Sequence, residues 1–412
     1  MTASTRHRLG GAVAVTLLVT ATLIARQDRA TTSWKPAIES LPSPAGPNSA
    51  QPQLSSSSRG VILSWIEREG PKASLRFSER TKAGWSAPRT FASGTDWFVN
   101  WADVPSVIRL SNGTLVGHWL QKSGHDTYAY DVRLSYSTDE GKTWSPSFTP
   151  HTDGTKTEHG FASLFEMPGG GLGLAWLDGR AMKPQAGHGD HGGGAMSVRF
   201  ASFDGNWKQT GETLVDGRVC ECCPTAAAVT SDGPIAAFRD RSDDEVRDIH
   251  VSRFEKGKWT EPRAVHQDGW QINACPVNGP MLSATGRSVA LAWFHAKNDQ
   301  GRAFVAFSQD AGRSFAEPVR LDEVSAIGRV DVELIGEGVA VASWIEFANQ
   351  RTEFKVRRVD RSGARSPAVT VSSLAGGRAS GYPRIAKFGN EIVFAWTESV
   401  SGGSRVQTAI AR

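Results

Sequence analysis

VILSWIE at residues 61–67 is the first of seven short apolar segments that recur along the chain, most of them containing a tryptophan. Each of the first six is followed by a polar-alternating segment, a tight turn, an aromatic residue and a proline. Five of these turn aromatics are spaced 52 to 63 residues apart. Short strands with glycine turns at this repeat length predict an all-β fold, a β-propeller of four-stranded blades. The seven segments are VILSWIE (61–67), LVGHWL (115–120), LGLAWLD (172–178), PIAAFRD (234–240), VALAWF (289–294), VAVASWIE (339–346) and IVFAWTE (392–398).

The repeat count favours seven blades, and a six-bladed ring with one aberrant unit is the alternative. The last unit starts at Tyr382 and stops before a fourth strand. The segment SWKPAIES (33–40) resembles that missing strand, so we expect it to close the ring and remove the sheet edge. Residues 31–412 are thus predicted to form one propeller domain, with residues 41–58, rich in Pro and Ser, as a linker-like stretch.

Charge and length restrict the classes of partner. The 412 residues include 46 Lys and Arg against 42 Asp and Glu, a net charge of +4, of which residues 1–30 carry most. The remainder has no basic stripe, which argues against nucleic acid as a partner.

The N-terminus has the pattern of an export segment. Arg6 and Arg8 precede an apolar run over residues 9–25, as in a secretory signal. A cleaved signal peptide and an uncleaved membrane anchor both remain open. We expect export to the periplasm or the cell exterior, with membrane contact only through this segment.

Blade geometry predicts where a site would lie. The first residues of the innermost strands line the central channel and converge at one mouth, and loops that follow the second strands join them there. Polar groups that meet in a concavity are the default site hypothesis. The candidates at this mouth are Asp103, His159, Cys220, Cys222, Cys223, Arg241, Cys275, Arg329, Glu346, Tyr382 and Arg384.

One turn carries a family signature. Residues Ser137–Trp144 (STDEGKTW) fit S-x-D-x-G-x-T-W at every position, and Ser308–Phe315 (SQDAGRSF) is a softened copy. The Asp can accept turn hydrogen bonds, and the Gly takes a positive φ. The chain here resembles the Asp-box (BNR repeat) propellers, whose best-known members are the sialidases. The motif also occurs in other glycan hydrolases and in non-enzymatic receptors of this group.

Residues 102–144 resemble the opening blade of a sialidase. The resemblance implies that Asp126 is a loop acid/base, and that Tyr382 with Glu346 is the nucleophile pair. The family's F-R-I-P arginine is absent, because Asp103 occupies its position. An Asp there would repel a substrate anion, so the resemblance leaves Arg241, Arg329 and Arg384 to bind the anionic group.

The four cysteines support two interpretations. Cys220, Cys222 and Cys223 precede one innermost strand, and Cys275 precedes the next. In an exported protein, four cysteines are expected to form disulfides. Thiolates at this spacing could instead bind copper or zinc, with His159 from the preceding blade as a further ligand.

Three functions therefore remain open. The first is a glycan-directed, glycosidase-type hydrolase of sialidase-like fold, acting on an extracytoplasmic glycan or anionic small molecule. The second is a metal- or thiol-dependent propeller that uses the cysteines. The third is a propeller that binds a glycan or protein without catalysis. No cofactor is certain at this point, and the missing arginine leaves enzyme activity open.

Overall fold

A computed structural model describes Met1 and residues 33–182 and 194–412. The apolar run over residues 9–25, expected to direct export, lies outside these ranges. Within them, no helix is long and apolar enough to cross a membrane. The described chain is almost entirely β-structure, with two short 3₁₀ turns at Lys297–Asp299 and Gly377–Ser380.

Seven antiparallel sheets form seven blades, which confirms the predicted propeller and the higher of the two blade counts. Strand β1 is Ile38–Leu41. Blade one contains β2 (Ser49–Ser56), β3 (Val61–Glu69), β4 (Lys72–Thr81), β5 (Gly84–Trp85) and β6 (Arg89–Gly94). Blade two contains β7 (Ser106–Arg109), β8 (Leu115–Lys122) and β9 (Tyr130–Ser137), and blade three contains β10 (His159–Glu166), β11 (Leu172–Asp178), β12 (Ser197–Phe203) and β13 (Gln209–Asp216).

The remaining blades follow the same meander. Blade four contains β14 (Ala226–Thr230), β15 (Gly233–Arg239), β16 (Ile249–Glu255), β17 (Lys258–Trp259) and β18 (Arg263–Ala264). Blade five contains β19 (Met281–Thr285), β20 (Ser288–His295), β21 (Arg302–Ser308) and β22 (Val319–Arg320). Blade six contains β23 (Ala326–Gly336), β24 (Val339–Ala348), β25 (Arg351–Asp360) and β26 (Val369–Leu374), and blade seven contains β27 (Arg384–Phe388), β28 (Glu391–Val400) and β29 (Gly403–Ala411).

The N-terminal strand closes the ring. β1 pairs antiparallel with β29, with Ile38 opposite Ala411 and Leu41 opposite Thr408. This pairing supplies the fourth strand of blade seven, as the repeat of SWKPAIES predicted. The innermost strands β2, β7, β10, β14, β19, β23 and β27 contact one another in sequence around the channel, and β27 contacts β2.

The linker expected at residues 41–58 is instead largely structured, because β2 is the innermost strand of blade one. Proline normally disfavours a central strand. Pro52 is accommodated because the register shifts between Ala50 and Gln53, and Gln51 has a φ of 59°. A bulge of this kind leaves one residue unpaired in the strand ladder, so that the missing backbone N–H of Pro52 costs no hydrogen bond.

Two turns contain the hydrogen bonds that the signature predicts. Asp139 Oδ1 accepts from the Thr143 amide at 2.9 Å, and its Oδ2 accepts from Thr143 Oγ1 at 2.6 Å. Asp310 makes the same two bonds with Ser314, at 2.9 and 2.6 Å. Gly141 has a φ of 76°. These turns lie at the opposite end of the blades from the starts of the innermost strands.

Replacing Gly141 by Ala tests the packing of this turn. A Cβ at Gly141 would lie 3.1 Å from Phe77 and 3.2 Å from Trp144, whereas a Cβ at Gly154, also of positive φ, would meet nothing within 4 Å. Both alanines should lower the free energy of unfolding by about 1–2 kcal/mol through backbone strain. Gly141→Ala should lose about 1–3 kcal/mol more through crowding. Urea unfolding that gives equal losses for the two variants would contradict this.

Candidate functional site

Two loops leading into neighbouring innermost strands bring the four cysteines to one mouth of the channel. Cys220, Cys222 and Cys223 precede β14 of blade four, and Cys275 precedes β19 of blade five. All four are free thiols. The structure therefore brings together the cysteines that the repeat pattern placed at this mouth.

Three of the thiols form a compact set, named here the thiol cluster: Cys220, Cys222 and Cys223. Their Sγ atoms all lie within 4.8 Å of one another. Cys220 Sγ is 3.8 Å from Cys222 Sγ and 2.8 Å from Cys223 Sγ. Cys275 interacts with Cys222 but lies outside this mutually close set.

An arginine favours ionisation of the cluster. Arg247 Nη1 lies 3.4 Å from Cys220 Sγ. Burial disfavours a thiolate at Cys220, but hydrogen bonds from Cys222 and Cys223 and the charge of Arg247 outweigh it and hold the pKa of Cys220 well below its usual value. The Cys220 sulfur is thus the most acidic position in the cluster.

An ion-pair network fixes Arg247 beside the cluster. Its Nη1 is 3.2 Å from Glu221 Oε2, and its Nη2 is 2.8 Å from Glu245 Oε2. Arg241 pairs with the same two carboxylates, Glu221 and Glu245. Arg241, expected to bind a substrate anion, is therefore committed to protein carboxylates that hold Arg247.

The Cys275 loop is held rigidly against blade four. Gly279 packs so closely on Pro224 that a Cβ there would lie 2.0 Å from the Pro224 carbonyl oxygen. Arg239 Nε donates to the Asn278 carbonyl at 2.9 Å. Val277 has a φ of 48°, a strained value for a β-branched residue. Such strain persists only where neighbours hold the backbone in place.

Tyr382 is one of those neighbours. Its hydroxyl donates to the Val277 carbonyl at 2.5 Å, its ring stacks on Trp101, and its side chain is buried. Burial raises the pKa of Tyr382 above its usual value. These contacts give Tyr382 a positioning role for the Cys275 loop, and they do not support the nucleophile role that the resemblance implied.

Glu346 pairs with the indole of Trp344, in an arrangement that recurs in other blades, and it does not pair with Tyr382. Its Oε2 accepts from the indole of Trp344 at 3.1 Å and from the Glu323 amide at 2.9 Å. Lys355 Nζ lies 3.4 Å from Glu346 Oε1. Among the described residues, no contact joins Glu346 to Tyr382. The same indole-to-acceptor pair occurs three more times at the ends of second strands, in Trp65–Glu67, Trp119–Gln121 and Trp176–Asp178.

A different tyrosine does meet two carboxyl groups. Tyr130 Oη lies 2.8 Å from Asp103 Oδ2 and 2.8 Å from Glu158 Oε1. Gly160 permits this packing, since a Cβ there would clash with both Asp103 and Tyr130. The Phe161 amide donates to Asp103 Oδ1 at 2.7 Å. Asp103, expected at the substrate surface, is thus buried in a structural hydrogen-bond set.

The two hydrogen bonds of Tyr130 Oη require that one of the two carboxyl groups, Asp103 or Glu158, is protonated. A phenol has one O–H, so it can donate to only one of Asp103 and Glu158. The other bond forms only if that carboxyl is protonated and donates to the phenol oxygen. Burial raises the pKa of Asp103 to about 7, and burial, with Asp103 and Glu221 nearby, raises that of Glu158 to about 8. A shared proton at neutral pH agrees with both shifts.

Two further arginines lie along the channel. Arg329 donates to the Gly377 and Gly381 carbonyls at 2.9 and 3.1 Å, and it stacks on Trp101. Arg384 is buried and lines a channel cavity of about 200 Å³. Of the three arginines expected to bind an anion, Arg384 is the one that lines this cavity. Its Nη1 lies 3.2 Å from Met281 Sδ, and within the described residues neither it nor Arg329 forms an ion pair.

His159 lies among carboxylates rather than sulfurs. Its ring stacks on His151 with centroids 3.8 Å apart. Its Nδ1 is 3.4 Å from Asp131 Oδ1, and its Nε2 is 3.2 Å from Asp153 Oδ2. No contact in the described part of the chain joins His159 to a cysteine. The structure thus places His159 with carboxylates, and its role as a further ligand of a thiolate metal site stays a prediction.

Asp126 lies in the exposed loop between β8 and β9. Its carbonyl oxygen accepts from Lys122 Nζ at 2.5 Å. Nothing in residues 33–182 or 194–412 joins it to Tyr382 or Glu346 by a hydrogen bond or ion pair. Its acid/base role stays a prediction from the resemblance.

Sequence reasoning missed Tyr130 as a site residue, and it missed Arg247 and Gly279. Tyr130 begins the third strand of its blade, where the repeat pattern gives no signal for the channel. Gly279 carried a signal, because a glycine in the segment Cys275–Pro280 permits close backbone approach.

Comparison with solved structures confirms the architecture. The chain is similar to the polysaccharide lyase Uly1, with a TM-score of 0.54 and 11% identity over 88% of this chain and 90% of that one. It is also similar to a Penicillium chrysogenum α-L-arabinanase complexed with arabinobiose, with a TM-score of 0.49 and 12% identity over 77% of this chain and 95% of that one. For a Ruminococcus gnavus intramolecular trans-sialidase in complex with oseltamivir carboxylate, the TM-score is 0.48 and the identity is 12% over 76% of this chain and 96% of that one.

At 11% identity, the similarity to Uly1 shows a shared fold and no more. The protein is a seven-bladed β-propeller whose channel mouth carries a cluster of free thiols. No protein-family model matches the chain, and no curated protein matches it in sequence.

The carboxyl pair on Tyr130 predicts a pH dependence. The pKa of Asp103 is higher in the folded chain than the usual 3.8. Its contribution to stability is therefore full below about pH 4 and is lost as pH rises through about 7. Asp103→Asn keeps the acceptor for Phe161 and should reduce the fall in unfolding free energy between pH 5 and pH 8, by on the order of 2 kcal/mol. Parallel pH profiles for variant and wild type would refute the shared proton.

Proposed function

We propose that this protein binds a soft metal ion, Cu(I) in preference to Zn²⁺, at the thiol cluster. The observation that carries the proposal is the mutual closeness of the three Sγ atoms, all within 4.8 Å. Thiolates are the ligands that select Cu(I) and zinc over harder metal ions. Among the described residues, no histidine belongs to the group of mutually close ligand atoms that the three thiols form, which leaves sulfur as the donor set.

The distances allow a common metal with small adjustment. Two thiolates on one ion at a Zn–S bond of about 2.3 Å are about 3.8 Å apart in tetrahedral geometry. The Cys220–Cys222 separation is 3.8 Å. The Cys220–Cys223 separation of 2.8 Å must widen by about 1 Å for a shared metal, by rotation about χ1 of either side chain.

Ligand number favours copper. A structural zinc site is almost always four-coordinate, and only three thiols belong to the mutually close set. Cu(I) accepts three sulfurs in trigonal geometry. The cost of burying several thiolates is offset by Arg247 at 3.4 Å from Cys220, with Glu221 and Glu245 fixing that arginine in place.

Export is part of the proposal, since residues 1–30 have the pattern of a secretory segment. In an oxidising compartment a disulfide competes with the metal for the same thiols. The signal peptide or membrane anchor predicted at the N-terminus, with its apolar run over residues 9–25, and the periplasmic or extracellular location belong to the same proposal.

Copper titration of the reduced, full-length protein tests the site. The wild type should bind about one Cu(I) per chain, because one three-sulfur set is present. Cys222→Ser should lose that binding, while Ser231→Ala, an exposed change at the far end of β14, should keep it. Circular dichroism checks that each variant is folded.

Thiol counting and metal analysis of protein isolated without reductant can contradict the proposal. Four thiols paired as two disulfides, with neither copper nor zinc bound, would overturn the metal proposal and make the cysteines structural.

A glycan-directed hydrolase is the second candidate function, favoured by Glu158. Glu158 is a half-buried residue that directly precedes the innermost strand β10. Its carboxyl group is hydrogen-bonded to Tyr130, and burial of that group raises its pKa to about 8. A carboxyl that stays protonated at neutral pH is suited to general-acid catalysis. The polysaccharide lyase of similar fold makes anionic polysaccharide fragments the first substrates to try.

Glu158→Gln should lower turnover of such fragments by roughly 10²-fold or more if Glu158 is the acid. Glu166→Gln is the matched control, because Glu158 directly precedes β10 and Glu166 is the last residue of that strand, at its opposite end. A wild type without turnover, or a Glu158→Gln variant that keeps it, would rule out this candidate.

A further inference from the structure

The four thiols differ in access to solvent in a graded way. Cys275 is exposed and Cys222 is half-buried. Cys220 and Cys223 have 0% and 1% of their surface exposed. Cys222 interacts with all three of the other thiols. A metal ion that arrives from solvent therefore meets Cys275 first and reaches the buried pair through Cys222.

We infer that Cys275 is the first acceptor of Cu(I), receiving the ion from a donor complex in solution and passing it to the thiol cluster. This inference rests on the proposed metal function. It assigns Cys275 a transfer role, distinct from that of the three resident ligands.

Geometry separates the two roles. Cys275 is near Cys222 but lies outside the mutually close set formed by the other three. A permanent fourth ligand would be expected within that set. An exposed thiol that reaches only one member of the set fits a site of exchange, through which the ion passes.

The loop that carries Cys275 is built to hold this thiol at one place. Tyr382 donates to the Val277 carbonyl, and Arg239 donates to the Asn278 carbonyl. Gly279 packs directly on Pro224, next to Cys223. These contacts keep the exposed thiol beside Cys222 without a further closing motion, so exchange needs only side-chain rotation.

The transfer balances without redox chemistry. The Cys275 thiol releases its proton to water, its sulfur forms a bond to Cu(I), and one bond from copper to a ligand atom of the donor breaks. Cys222 then releases its proton to water and forms its bond to copper as the bond to Cys275 breaks, and Cys275 takes up a proton from water. The remaining bonds from copper to the donor break as Cys220 and Cys223 bind the ion in the same way. Copper stays Cu(I) throughout, and each step keeps the ion bound to sulfur.

The test follows transfer of copper from the coloured Cu(I)–bicinchoninate complex to the reduced full-length protein in a stopped-flow instrument. Cys275→Ser should slow the loss of colour by about tenfold or more, since access to the receiving thiol governs the rate. The final amount of copper transferred should match that of the wild type. Asn273→Ser, an exposed change in the same loop, should leave both rate and extent unchanged.

The outcomes separate this inference from the proposed function. An unchanged rate in Cys275→Ser overturns the acceptor role while leaving the metal site in place. If the final amount of copper transferred to Cys275→Ser is lower than that transferred to the wild type, Cys275 is a resident ligand, and this result also overturns the inference. A wild type that takes no copper from the complex removes the metal site itself.

Discussion

The pairing of Ile38–Leu41 with the last strand is the constraint on which the site depends. An open seven-bladed sheet array would expose a strand edge and leave its first and last blades free to separate. Closure by β1 on β29 fixes the angle between every pair of neighbouring blades. The innermost strands then converge on one axis, and the loops that precede them meet at one mouth. The closeness of Cys222 to Cys275, which come from blades four and five, follows from that convergence and from the contact of Gly279 with Pro224.

Charged residues near the mouth have two kinds of role. Most serve the fold: Glu346 accepts an indole N–H, Arg239 donates to three backbone carbonyls, and Arg329 holds the Gly377–Ser380 turn and the Gly381 carbonyl. Buried polar groups must be satisfied in this way. Two charged or titratable groups have a candidate functional role as well: Arg247, beside the Cys220 sulfur, and Glu158, beside Tyr130. The function is most directly sought in this smaller group.

The sequence predicted the ring well and the site in part, for physical reasons. Strand repeats and turn glycines are local, so blade count, closure and the Ser137–Trp144 turn were readable from spacing. The cysteines were placed correctly because their position before two successive inner strands fixes where they meet. Side-chain direction was not readable: His159 turns to Asp131 and His151, and Tyr382 turns inward to Val277. The strand at Ser49–Ser56 was missed because its Pro and Ser composition hides a bulged inner strand.

X-ray absorption at the copper edge of the Cu(I)-loaded protein tests the central claim most directly, because it reports the donor atoms around the ion. The account predicts a shell of sulfur alone, with about three atoms and no imidazole scattering. A shell dominated by nitrogen and oxygen would place the metal at the His151–His159 cluster or at no defined site, and it would contradict the assignment of the thiol cluster as the metal site.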